Sequence, residues 1–228
     1  MQTEEQATAK SLTLFPDSGV TVSRSAQLMK VEAADLPLLT NFSGEWCWET
    51  IVRAELILVT KAPLDSTDSK ERTFRVLLDP KSGNMICAAS IRVDGYPDQR
   101  DIMPAGGPAE LIEKMKGFGE NVYGFTEETP TMIGFIEALN HVMGSPYEAK
   151  EIHVWCVEYA RFDHSADAYE DSKPVYMIFL RGLPPIPNMG VPIGSNGEPY
   201  PSPPTITDLR SVVDAYTGVC ICATTDMP

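Results

Sequence analysis

The chain has 228 residues, with 18 Lys and Arg against 32 Asp and Glu, a net charge of −14 and a pI near 4.6. Its 43% hydrophobic content can bury a core, which excludes a disordered acidic tail, and its charge repels phosphate backbones, so no nucleic-acid partner is expected. No run of 18 apolar residues occurs, so no membrane-spanning helix is predicted.

Residues 1–22 read as an N-terminal extension. Met1 to Lys10 is polar, without the basic and apolar regions of a signal peptide, and resembles the start of a mature exported chain to which Met1 was added. Leu12–Phe15 and Val20–Val22 flank Pro16-Asp-Ser-Gly19 and are predicted as short strands. Such strands either pair within their own chain or add to a neighbour's sheet edge. Ser25–Ala34 is predicted as a short helix, and Asn41-Phe-Ser43 matches a glycosylation sequon.

Residues 23–100 form the first β unit. Ala54–Thr60 reads as a strand, Asp65–Glu71 as an acidic loop and Phe74–Ser90 as a hairpin. Residues 101–228 hold two helices and a second β unit. The helices are Pro108–Lys116, which stops at Gly117, and Thr131–Met143, which stops at Gly144. Met132, Ile136, Leu139 and Met143 share one helical face, read as core. His153–Phe162 and Val175–Arg181 follow as strands. The 182–207 loop then holds eight of the 19 prolines and leads to a second hairpin. It is read as a fixed cover over the sheet, with a docking strip as the alternative.

The two units repeat each other. Phe74–Ser90 aligns without gaps to Leu209–Thr225 with six of 17 positions identical: Arg, Asp, Gly, Ile, Cys and Ala. Chance would give about one. Each copy runs strand, Asp-x-x-[Ser/Thr]-Gly, strand. Asp79 and Asp214 can accept backbone N–H bonds across a turn, and Gly83 and Gly218 can supply the positive φ that closes it. They are therefore turn residues rather than catalytic ones. Upstream, Ala54–Thr60 is placed against Val175–Arg181, and Trp46–Glu49 echoes Trp155–Glu158. The fold expected is α+β: two related antiparallel units (strand, strand, hairpin), with two short helices between them and one continuous sheet.

The five cysteines, Cys47, Cys87, Cys156, Cys220 and Cys222, form no C-x-x-C motif and are read as buried small hydrophobes, with one or two disulfides as the alternative. His141, His153 and His164 have no metal-pair spacing, and neither H-E-x-x-H nor G-x-S-x-G is present. Asp163, Asp167, Glu170 and Asp171 could offer oxygen ligands to calcium, but the spacing is not an EF-hand; this loop and the 65–71 loop are read as solvated. No catalytic, cofactor-binding or metal residue is assigned.

Arg210-Ser-Val-Val-Asp-Ala-Tyr-Thr-Gly218 resembles the closing hairpin of PepSY-type domains, and the order helix, strand, strand, hairpin resembles their layout. Phe74–Ser90 is a weaker likeness. Where that family often has an acid after the glycine, this chain has Val219 and Asn84, and its Pro-rich loop is a long interruption. The resemblance implies a non-catalytic binding or regulatory protein of the cell envelope or exterior, and the family includes inhibitory propeptides of thermolysin-type peptidases. The expected partner is a protein or a second copy, with no cofactor; a cytoplasmic setting stays open. The alternative function is a structural subunit of an extracellular assembly, built by strand addition through residues 1–22. An enzyme using a cysteine or an acidic cluster ranks last.

Overall fold

A computed structural model describes residues 1–15, 19–30, 46–56, 70–91, 114–142, 146, 148–183 and 208–224. Helix α1 (Glu4–Thr13) opens the chain. Strands β1 (Thr21–Lys30), β2 (Trp46–Leu56), β3 (Lys70–Leu78) and β4 (Met85–Ile91) follow, then β5 (Glu120–Phe125) and helix α2 (Phe135–Leu139). The second unit runs β6 (Glu151–Asp163), β7 (Ala168–Tyr169), β8 (Lys173–Arg181), β9 (Asp208–Asp214) and β10 (Cys220–Thr224). All pairings are antiparallel, in one sheet ordered β1-β2-β3-β4-β6-β8-β9-β10, with β5 and β7 also paired to β6. The α+β class and the continuous sheet agree with expectation.

The repeated hairpins match atom for atom. Asp79 Oδ1 accepts from the N–H groups of Lys81 and Ser82, at 2.7 and 2.8 Å, and Asp214 Oδ1 from those of Tyr216 and Thr217, at 3.1 and 3.0 Å. Gly83 and Gly218 sit at φ +73° and +71°. Each hairpin then skips one residue, Ile86 in the first and Ile221 in the second, so both carry the same bulge.

The repeat also includes a helix that the sequence reading assigned otherwise. Residues 12–13 are not strand but the end of α1. Thr3 and Gln6 cap its start reciprocally, with acids in the first turn and Lys10 in the last. Gln2 N donates to Pro80 O at 2.8 Å; Ile133 N donates to Ala215 O, the equivalent carbonyl, at 2.9 Å. Both helices begin two residues later, and both place a fully buried alanine, Ala7 or Ala138, on the sheet. Each unit is thus one helix and four main strands. Further corrections follow from register. Ser25–Lys30 is strand, not helix, because it pairs along β2. Trp48 faces Leu78 as Tyr176 faces Val213, so β2 corresponds to β8 and Arg53 to Arg181. Trp46–Glu49 and Trp155–Glu158 therefore lie on non-equivalent strands. The helix predicted over Thr131–Met143 is regular only at Phe135–Leu139, after Gly134 at φ +79°. Of Pro108–Lys116 only 114–116 is described, and it is helical. The sequon, most of the 65–71 loop and residues 184–207 of the Pro-rich loop lie outside the described residues.

Both faces of the central strands β6 and β8 are buried, which is why they read as long apolar runs. The helix-side core joins the units through three rings: Phe15 lies 5.3 Å from both Phe74 and Phe135, which are 6.2 Å apart. The opposite core centres on Trp155, 4.5 Å from Phe179 and 6.0 Å from Phe125, and includes Met115.

Candidate functional site

The polar interior lies on the face opposite the helices. Alternation along β3 and β9 sends Phe74, Val76, Leu209 and Val213 to the helix side and Arg75 and Arg210 to the other. These are the arginines that the repeat keeps identical. Glu49 on β2 receives both Arg75, Nε to Oε2 at 2.5 Å, and Arg24 from β1. Arg75 also reaches the Met29 sulfur at 3.3 Å.

In the second unit, Arg210 donates to Glu120 Oε2 at 2.6 Å, with the two side chains only 4% and 6% exposed. Glu120 Oε1 accepts from Tyr159 Oη and Cys222 Sγ, both at 2.9 Å. Burial alone would raise the Glu120 carboxyl, but Arg210 and these hydrogen bonds hold it below its ordinary value. The same burial and the adjoining carboxylate push the Cys222 thiol up to about 11 and raise the Tyr159 phenol. This cluster therefore holds one ionised acid between a guanidinium and two protonated donors. It contains neither a thiolate nor a carboxylate poised as a base.

The other titratable groups divide between structure and surface. Burial pushes Cys87 up to about 12 and raises Cys156 and Cys220. Cys87, Cys156, Cys220 and Cys222 carry no disulfide, and Cys47 is a buried thiol near enough to Cys87 to interact with it. Asp214 is held down at about 2: burial opposes this, but Lys173 at 2.9 Å and the Thr217 and Tyr216 N–H groups prevail. The two turn aspartates are structural, as their spacing indicated. His153 is fully buried, 3.7 Å from Glu151, and neither ring nitrogen has a hydrogen bond within the described residues; burial lowers it below its usual value. His141 sits over Gly218, and His164 stacks edge-on against Phe162, so the three histidines serve separate places. Asp163 accepts from Ser165 N and Oγ at 2.8 and 2.7 Å, as in an Asx turn, and no group of three metal-ligating side chains forms among the described residues.

Sequence reasoning missed the arginine–carboxylate clusters. The signal was a charge at a core-facing strand position: Glu49 within Trp-Cys-Trp-Glu-Thr-Ile-Val, and Arg210 within Leu-Arg-Ser-Val-Val. It also missed a corner where β5, β6 and β7 meet. There Phe118 and Tyr169 are exposed by 69% and 39%, Phe162 packs against Tyr169 at 5.3 Å, and Tyr123, 54% exposed, lies further along β5. No family model, curated protein or solved structure matches the chain.

Proposed function

We propose that this protein is a non-catalytic binding or regulatory module of PepSY-like type, acting in the cell envelope or outside the cell. The observation that carries the reading is the aromatic corner. Phe118, Tyr123 and Tyr169 present ring surface to water along β5 and β7, whereas Glu49, Glu120 and Asp214 are each neutralised by a basic partner. Exposed aromatics on a rigid frame suit a protein contact, because rings bury much area at little entropic cost. The setting outside the cytoplasm rests on the hairpin resemblance.

The test follows the inhibitory members of that family. The purified chain should inhibit a thermolysin-type peptidase saturably, and Phe118→Ala with Tyr123→Ala and Tyr169→Ala should weaken inhibition at least tenfold while circular dichroism stays unchanged. A saturable hydrolase or transferase activity of the chain itself would overturn the reading. Of the segment that motivates the alternative, assembly by strand addition through residues 1–22, residues 4–13 are helix and Thr21 and Val22 pair with β2, so it offers no unpaired strand among the described residues.

A further inference from the structure

The sheet ends in two outer strands, β1 and β10, and they differ in how they meet water. Within the chain, the last strand of the first unit already has its outer edge covered. Cys87, Ala88 and Ala89 of β4 pair with Trp155, Val154 and His153 of β6. Strand β10 holds the place of β4 in the second unit. It has the same turn, the same bulge, and Cys222 and Ala223 at the positions of Cys87 and Ala88. Among the described residues no strand pairs with its outer edge. Its sequence, Cys220-Ile-Cys-Ala-Thr224, has no charge and no proline, and its bulge at Ile221 is the one that β4 carries at Ile86 while still pairing with β6.

Strand β1 is blocked along the matching stretch. Register places Val22 where Ile152 stands in β6 and Gln27 where Trp155 stands. The stretch between, which β6 uses to meet β4, is broken in β1 by two irregularities. It carries Arg24, and Ala26 N already donates to Thr8 Oγ1 of α1 at 2.9 Å. A second copy therefore cannot repeat the β4–β6 junction by setting its β1 on β10.

We infer that β10 pairs antiparallel with β10 of a second copy, across a two-fold axis near Cys222, so that one sheet runs through a closed dimer. A second copy is the occupant that the chain supports. The equivalent edge already joins two copies of the unit, an antiparallel strand is self-complementary about a two-fold axis, and guarded β1 stops further growth. Each copy carries −14, but the contact strand is uncharged, so salt should strengthen the dimer. A cationic peptide added to the same edge would respond to salt in the opposite sense.

The experiment is sedimentation of the full-length chain across concentration at low and high salt, with hydrogen exchange on the same samples. We expect a monomer–dimer equilibrium that shifts toward dimer in high salt. Exchange at the Ala223 amide should slow as concentration rises, while β1 amides do not respond. Ala223→Pro, which removes an edge N–H, and Cys220→Asp, which puts a carboxylate on the contact strand opposite Thr224 of the second copy, should each weaken dimerisation at least tenfold. Should Ala223→Pro disturb the hairpin, Cys220→Asp and the exchange data decide. A monomer under all conditions, a dimer indifferent to both variants, or open-ended polymers would overturn the proposal. A monomer that still inhibits a peptidase would overturn it while leaving the binding reading intact.

Discussion

Arg75 and Arg210 occupy the same place in the two units but find their counter-charge differently. In the first unit the carboxylate is Glu49, on the neighbouring strand of the same meander. In the second unit the equivalent position of β8 is Met177, and the carboxylate is Glu120, supplied by β5 from the segment between the units. The helix caps show the same contrast. Helix α1 is capped by its own Thr3 and Gln6, whereas Gly134 gives α2 no side-chain cap, and Glu128 accepts the Phe135 N–H at 3.0 Å instead. Between these two, Glu127 accepts from Ser82 Oγ and Asn84 Nδ2 of the first hairpin, at 2.6 and 3.1 Å. The first unit satisfies its arginine and its helix cap internally, whereas the second takes both partners from residues 120–128, a segment that also braces the first hairpin through Glu127. A duplicated scaffold has kept its backbone demands and moved its charges.

The largest expected effect tests that borrowing. Glu120→Ala leaves Arg210 buried and uncompensated and should cost about 3–5 kcal/mol, read as a drop in the urea midpoint. Glu49→Ala should cost less, because Arg24 is about a third exposed and can hydrate. Replacing the buried pair together, Glu120→Leu with Arg210→Met, should recover most of the loss. If Glu49→Ala proves the more damaging, the contrast between the units fails. Next in size, Gly83→Ala and Gly218→Ala force a side chain into a left-handed position and should each cost about 1–2 kcal/mol. The new Cβ at Gly83 would collide with the Gln2 amide, and at Gly218 it would sit 2.9 Å from the His141 ring. The first should therefore also loosen the start of α1, visible as faster amide exchange there.

Thr3→Ala removes half of the α1 capping box and should cost about 1 kcal/mol in thermal or urea unfolding. The smallest effect near neutral pH is a slope. Burial lowers His153 in the folded chain, so the unfolded chain takes up a proton first, near its ordinary value of about 6.5. Stability from this group is complete above that value and falls as the pH drops below it. His153→Phe should flatten that limb of the stability profile. Burial raises Glu128, so its contribution has the opposite sign, and stability declines as pH rises through its folded value. Glu128→Gln should remove that decline, which distinguishes the two groups in the same titration.

The hairpins were legible because a turn depends on residues within it: Asp79, Gly83 and their repeats carry the geometry locally. Strands β6 and β8 were legible as apolar runs. Helix α1 was not, although Thr3-Glu-Glu-Gln6 spells a capping box, because Leu12-Thr-Leu-Phe15 alternates like a strand while only Ala7 and Ser11 are buried helix residues. Strand β1 was misread because its polar, largely exposed sequence gains its extended form from pairing with β2 rather than from propensity. The clusters were least legible. Glu120 and Arg210 are 90 positions apart, and nothing local announces that one will neutralise the other.

The three rings at the helix-side core carry a consequence for how the chain is made. Phe15 and Phe74 belong to the first unit, whose strands are all present once residue 91 has been synthesised, but the ring that packs on both is Phe135. A nascent chain that has completed its first four strands still holds an open aromatic pocket. Folding from the N-terminus would leave this apolar surface exposed until α2 arrives, an interval in which a half-made chain is open to sticking to its neighbours.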